Sequence, residues 1–332
     1  LAGLDLAVDD INEAGGVGGR PLELIVRDTA GESSKAATAV AELAALDVAA
    51  IVGEFHSVAA RTAATTADRL GLPFLCSSAV LDALTEQPSD WVARLAPPQS
   101  RGWQVYAEFL VGAGHRRVAV AIAPSIYWTS GVRILRDHLQ ALGAAVIELN
   151  VSELDLTAMC NKLAAERSTI LLLLVGHPDP VVSIVRAVRR DQRLAGITLG
   201  APAGQPEFSE WATLLGYEGA AIPFLRYLSQ SPNPTAGRVE ATLRARLDEP
   251  PCFVAFEGYD AITVLAEAIR SAGPNRQLIA KCWQSLAVEG TRGRIQFTRI
   301  PGLSVWQWAD APIQIVDRDP LAINRFRVLH PG

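Results

Sequence analysis

The side chains equipped for covalent or metal chemistry are few and scattered along this chain. Five histidines (His56, His115, His138, His177 and His330) show no metal-ligand spacing, and four cysteines (Cys76, Cys160, Cys252 and Cys282) form no C-x-x-C pair. Whether any cysteines are bridged or all are buried thiols is not legible from their positions. No G-x-S-x-G elbow and no Walker A loop occurs. Gly16-Val17-Gly18-Gly19 is glycine-rich, but it follows a helical stretch, whereas a dinucleotide loop follows a strand. The carboxylate pairs Asp9-Asp10 and Glu153/Asp155 fall in helix or loop contexts that suit solvated side chains better than a general acid/base pair. The sequence therefore points away from an enzyme and towards no cofactor and no metal.

Binding chemistry is better represented. Open α/β sheets take ligands beyond the carboxyl ends of their strands, where helix N-termini offer unpaired N–H groups to oxygen atoms. The predicted strand ends carry Glu54, Phe55, His56 and Ser57, then Ser77, Ser78, Ala79 and Val80, then Ser125, Tyr127 and Trp128, then His177, and finally Ala201 and Pro202. Ser57 suits a helix N-cap, with or without a ligand on its hydroxyl. Ser78 and Ala79 offer backbone N–H and C=O groups, or else form a plain solvated turn. Tyr127 and Trp128 are adjacent aromatics in a predicted loop, where burying both is difficult, so at least one is expected at a ligand. His177 offers a hydrogen bond or, once protonated, a partner for a carboxylate. Its alternative role is a polar loop residue held by Pro178 and Asp179.

A repeating strand–helix pattern must position these residues. Leu1, Leu4, Val8 and Ile11 recur at helical spacing, and Gly15-Gly16 ends that helix. Strands are predicted at 22–27, 48–52, 73–76 and 91–95, with helices up to residue 46 and over 57–70. Pro97-Pro98 is a hinge signal. Beyond it, strands at 117–123, 145–149, 169–175, 197–200 and 220–224 accompany helices at 100–111, 131–142, 156–166 and 180–190. Helices near 235–247, 253–271 and 275–286 have no strands of their own and are expected to pack on the first domain. Residues 294–297, 305–308 and 313–316 read as antiparallel strands joined by turns. The alternation predicts parallel sheets with right-handed crossovers. The expected partition is residues 1–97 with 225–289 in one lobe, and 98–224 with 290–332 in the other. A doubly wound sheet normally opens on a central strand, so Leu1 is not expected to be the natural start of its domain.

Composition agrees with this organisation. At 332 residues, 49% hydrophobic and 20% charged, the chain suits two globular α/β domains. A formal net charge of -5 without any Lys/Arg run gives no basic face for nucleic acid. The longest apolar run, residues 169–175, is too short to cross a bilayer and reads as a buried strand.

The stretch Gly3-Leu4-Asp5-Leu6-Ala7-Val8-Asp9-Asp10-Ile11-Asn12-Glu13-Ala14-Gly15-Gly16-Val17-Gly18-Gly19-Arg20-Pro21-Leu22-Glu23-Leu24 closely resembles the opening of the branched-chain amino acid and amide binding-protein family. These are type I periplasmic binding proteins, Leu/Ile/Val-binding-protein-like, that serve ABC transporters. Asp28, Val52-Gly53 with Ser57, Gly71-Leu72-Pro73, Phe256-Glu257-Gly258-Tyr259-Asp260-Ala261 and Val305-Trp306-Gln307-Trp308 follow in the family's order. The resemblance implies a Venus flytrap: two doubly wound parallel-sheet lobes, joined by three hinge crossovers, closing on a small molecule in the cleft. It implies an amino acid, amide or small organic acid as ligand, an ABC-transporter permease as partner, and a monomer or weak dimer. It also implies a periplasmic or lipid-anchored surface location; the family's alternative is a cytoplasmic amide sensor signalling to a regulatory partner.

In this family an aromatic at Tyr127 or Trp128 stacks over the ligand, and His177 stands where amino-acid-binding relatives carry a tyrosine. Those relatives place a hydroxyl residue near Val80 and an acid near Pro202. Valine and Ala201-Pro202-Ala203 supply neither, which leaves Glu54 as the nearest acid. Burying an ammonium without a partner costs several kcal/mol. A small amide, an aromatic or aliphatic acid, or another neutral metabolite therefore fits as well as an amino acid.

Overall fold

Residues 1–331 are described by the computed structural model. The chain divides into two units, Leu1–Pro98 with Tyr227–Pro312, and residues 99–226 with the segment from Ile313 onward, so it passes from one to the other three times. The first stretch carries α1 (Ala2–Glu13), α2 (Ser33–Ala45), β1 (Ile51–Gly53), α3 (Ser57–Arg69), β2 (Phe74–Cys76) and β3 (Val92–Arg94). The second carries α4 (Gln99–Gly112), β4 (Arg117–Ile122), α5 (Ile126–Ala141), β5 (Ala145–Asn150), α6 (Leu156–Glu166), β6 (Ile170–Leu174), α7 (Val181–Arg190), β7 (Thr198–Gly200), α8 (Ser209–Leu215) and β8 (Phe224–Arg226). The third adds α9 (Pro234–Leu247), α10 (Phe253–Ala272), α11 (Arg276–Cys282), β9 (Ala287–Gly290), β10 (Gly293–Arg299) and β11 (Trp306–Trp308), and the last adds β12 (Gln314–Asp319) and β13 (Ala322–His330).

In the first unit the strands form one sheet in the order β1-β2-β3-β11-β10-β9. The run from β1 to β11 is parallel, while β10 and β9 are antiparallel. Side chains alternate between faces: Phe74, Cys76 and Val92 pack with the alanine-rich helices α2 and α3, and Leu75, Ala93 and Leu95 pack with α10 and α11. Small residues bring the helices close. A Cβ on Gly3 would lie 1.8 Å from the Ala255 carbonyl oxygen, so α1 can cross α10 only with a glycine there.

In the second unit a parallel sheet runs β5-β4-β6-β7, and a smaller antiparallel sheet runs β13-β12-β8. β6 is buried along its whole length, as a central parallel strand covered by helices on both faces must be. Gly131 of α5 lets the Trp103 ring of α4 pass, since a Cβ there would meet it at 2.1 Å.

Three expectations need correction. Residues 290–312 belong to the first unit, because β10 and β11 pair into its sheet and Arg94 donates to Gln307 Oε1 at 2.7 Å. The three tail strands are thus split between two sheets, and β11 runs parallel to β3. Residues 22–27 form no strand despite their alternation, since a strand exists only by pairing. α5 begins at Ile126, because Ser125 caps it and draws Tyr127 and Trp128 out of the expected loop into the first turn.

Candidate functional site

In the first unit, the turn after β1 is organised by Glu54. Its carboxylate accepts the N–H groups of Phe55 (2.8 Å) and His56 (3.1 Å) and the hydroxyl of Thr29 (2.5 Å), and it lies 3.7 Å from His56 Nδ1. Burial opposes ionisation, but the hydrogen bonds from His56, Thr29 and the two amides together outweigh it, and the pKa falls to about 2. The same contact with Glu54 raises the His56 pKa. Glu54 is therefore an anion already satisfied by its own turn and by Thr29.

A carboxyl whose pKa is lower folded than unfolded contributes stability that is fully present above the unfolded value and is lost as pH falls through the folded one. Glu54→Gln is expected to flatten the loss of stability between pH 4.5 and about 2. Urea midpoints measured across that range check this; a slope equal to that of the parent protein would refute it.

Phe55 is the exposed tip of the same turn, with its ring edge-on to His56 at 5.4 Å. Ser57 starts α3, but the cap position is His56 and no side chain caps the helix. The Ser57 residue is only 8% exposed, and its hydroxyl makes no hydrogen bond among the described residues, so the simple N-cap role is not the one it plays.

After β2, Ser77, Ser78, Ala79 and Val80 are all buried. Ser77 N–H donates to Gly53 O and Ala79 N–H to Glu54 O, which ties this loop to the turn after β1. Ala79 has thus spent the donor expected of it, whereas the backbone N–H of Ser78 has no partner among the described residues. Arg94, wholly buried on β3, fixes the far end of the loop by donating to Val80 O at 3.1 Å.

Beneath lies a network that sequence reasoning passed over. Asp260 accepts Arg292 Nε at 2.9 Å and the Thr291 hydroxyl at 2.8 Å, and Arg292 Nη1 sits 3.3 Å from Glu257 Oε1. Burial drives the Glu257 pKa up to about 7, although Arg292 and the nearby Ser78 hydroxyl pull it down. Glu257 Oε2 and Arg292 Nη2 are buried without partners among the described residues. The available signal was Glu257 and Asp260, three apart in the first half of a helix whose neighbouring positions are largely apolar.

In the second unit, Ser125 Oγ accepts Trp128 N–H at 3.1 Å and sets the first turn of α5. The Tyr127 and Trp128 rings lie 4.6 Å apart, and Tyr127 meets Trp103 edge-on at 5.9 Å. Burial raises the Tyr127 pKa. Tyr127 is thus half committed to the unit's own packing, and both aromatics are half-buried. His177, in the loop after β6, stacks on the buried Trp211 at 5.7 Å and lies 3.5 Å from Glu210. Burial lowers its pKa against the pull of Glu210, and its Nε2 is buried without a partner among the described residues. Pro202 is buried after β7, where Ala201 N–H donates to Pro223 O at 2.9 Å.

Each unit therefore presents unpaired polar atoms on well-packed loops, an arrangement suited to holding a small molecule by hydrogen bonds. Among the described residues no group of three acids, histidines or cysteines is placed to hold a metal ion.

A family described as periplasmic binding protein matches residues 1–302. An amino acid binding protein of Pseudomonas aeruginosa is 25% identical over 329 residues, covering 93% of this chain and 84% of that one. Among solved structures, an ABC-transporter substrate-binding protein from Desulfitobacterium hafniense in complex with Leu superposes with a TM-score of 0.82 at 22% identity, over 99% of this chain and 94% of that one. A solute binding protein from R. palustris in complex with benzoate gives a TM-score of 0.81 at 16% identity, over 99% and 89% of the respective chains. The two structural likenesses establish the two-lobed α/β fold.

Proposed function

Because the chain belongs to the periplasmic binding protein family, we propose that it is a solute-binding receptor that holds a small molecule and delivers it to an ABC-transporter permease outside the cytoplasm. The observation that carries this reading is the family match over residues 1–302. The loops supply a mechanism without covalent chemistry. Phe55, the Ser57 hydroxyl and Ser78, with Ala79 as spacer, act from the first unit; Tyr127, Trp128, His177 and Pro202 act from the second. A ligand that gains contacts from both sets at once shifts the population towards the closed arrangement by its differential affinity.

For the ligand we favour a small carboxylic acid or amide with an apolar body. Free N–H and O–H donors suit its oxygens, and Trp128 suits its apolar face. An α-ammonium fits less well, because Glu54 is already held by Phe55 and His56 of its own turn and by the Thr29 hydroxyl and no acid stands at residues 201–203.

A thermal-shift screen tests both steps, since a ligand of the native state alone must raise the midpoint with its concentration. Benzoate-type acids, aliphatic acids or amides are expected to do so, whereas leucine, isoleucine and valine at micromolar levels are not. A shift with those three would overturn the preference against amino acids, and no shift with any class would overturn the receptor reading. With a ligand in hand, Trp128→Ala is expected to weaken Kd about tenfold. An unchanged Kd by calorimetry removes Trp128 from the site.

A further inference from the structure

A buried polar atom without a partner is costly, so it marks a place where something else supplies the hydrogen bond. Two such atoms stand past the carboxyl ends of β6 and β7, which are neighbours in the parallel sheet of the second unit. They are His177 Nε2, in the loop after β6, and Gln205 Oε1, in the turn after β7; neither has a hydrogen-bond partner among the described residues. Gln205 is 8% exposed, and its Nε2 donates to Val175 O at 3.1 Å, two residues before His177. That bond ties the two loops together.

Both atoms are acceptors, and their neighbours fix them so. Val175 O is a carbonyl and can only accept, so Gln205 must turn its NH2 group to it, which leaves Oε1 as the atom without a partner. His177 Nδ1 lies 3.5 Å from Glu210 Oε2. A carboxylate likewise only accepts, so the single proton of the neutral ring sits on Nδ1 and Nε2 keeps its lone pair. Burial lowers the His177 pKa, which keeps the ring neutral at neutral pH. Stacking on Trp211 at 5.7 Å holds the ring in this orientation. A ligand carboxylate would set its lone pairs against these two. An ammonium would bring a full charge that needs a free carboxylate, but Glu210 faces the other ring nitrogen and Glu207 is paired with Arg226 at 3.0 Å. A neutral group with two N–H donors suits the pair.

We propose, resting on the receptor reading, that His177 and Gln205 together recognise the NH2 group of a primary carboxamide. Gln205 is then a specificity-determining residue, and the ligand is an amide in preference to the corresponding acid. The two N–H groups of the carboxamide answer the two acceptors, and its oxygen is left for a donor elsewhere. The bond from Gln205 to Val175 O orients the acceptor before the ligand arrives, which spares the cost of ordering it on binding.

Matched probes, benzamide with benzoate and isovaleramide with isovalerate, test this by calorimetry on the whole chain. At least one amide is expected to bind at least about 30-fold more tightly than its acid, because a carboxylate there leaves both acceptors unpaired. Gln205→Met and His177→Phe, the second of which keeps a ring on Trp211, should each cut that ratio to about threefold or less. In the free protein, nitrogen-15 NMR of His177 should show a proton on Nδ1 and none on Nε2 at neutral pH, and the amide that binds should move the Nε2 resonance. Acids that bind as well as their amides, a proton on Nε2 in the free protein, or a ratio that survives both substitutions would each overturn the assignment. If neither amide binds, the carboxamide class is wrong, whereas the receptor reading falls only if every other class also leaves the thermal midpoint unmoved.

Discussion

Arg292→Leu is expected to lower the stability of the first unit by about 3–5 kcal/mol, the usual cost of stranding buried charges by removing one partner. Arg292 is 3% exposed, Glu257 and Asp260 are fully buried, and the guanidinium lies over the Trp308 ring at 5.1 Å. Leucine would leave Glu257 and Asp260 facing each other in the core without their guanidinium, with only Thr291 still donating to Asp260. Urea denaturation followed by tryptophan fluorescence measures the loss; a change below about 1 kcal/mol would show that the charges are not interdependent. Replacing all three by neutral residues of similar volume is expected to recover much of it.

The same network carries a pH signature opposite in sign to that of Glu54. The Glu257 pKa is about 7 folded against 4.5 unfolded, so the native state binds more protons between these values. Its contribution is complete below pH 4.5 and is lost as pH rises towards 7. Glu257→Gln should abolish that decline.

Trp211→Ala is expected to cost the second unit about 3–5 kcal/mol, as large-to-small changes of buried tryptophans do. The indole is fully buried, donates to Gly219 O at 3.0 Å and lies flat beneath His177. Gly219 has no side chain because a Cβ there would meet Trp211 Nε1 at 2.4 Å, so little is at hand to refill the space. Loss of the ring should also let water reach His177 and return its pKa towards the ordinary value, which a proton NMR titration would follow. Trp211→Phe keeps a stacking ring and should move both readouts less. A full-sized stability loss with an unmoved His177 pKa would separate the two effects and refute the coupling.

The strands and helices were legible in the sequence where pattern and pairing agree. The apolar run at residues 169–175 could be little else than a buried parallel strand, and the break after Pro97-Pro98 lies where a doubled proline resists both helix and sheet. Residues 22–27 alternate just as well, yet alternation records only which faces are apolar; it does not supply a neighbour. Residues 290–312 fall in the first unit and not the second because β11 pairs with β3, a relation between residues about 213 apart that no local window contains. The candidate loops followed from the strand ends, but their states did not. That Ala79 had spent its N–H on Glu54, and that Ser125 would draw Tyr127 and Trp128 into a helix, depend on backbone geometry. The pairing of Glu257 and Asp260 with Arg292 is not legible in the sequence, because each alone reads as a surface charge; only folding brings them together.

The pairing of β3 with β11 has a consequence for the order of events during synthesis. When Arg94 leaves the ribosome, Gln307 lies 213 residues from being made, roughly 10–40 s at ordinary translation rates. Through that interval the strand edge of β3 awaits its neighbour, while β4 to β7 lie within residues 117–200 and can assemble as soon as they emerge. The later-begun sheet is thus the first to be finished, and the nascent first unit is where a chaperone would be needed.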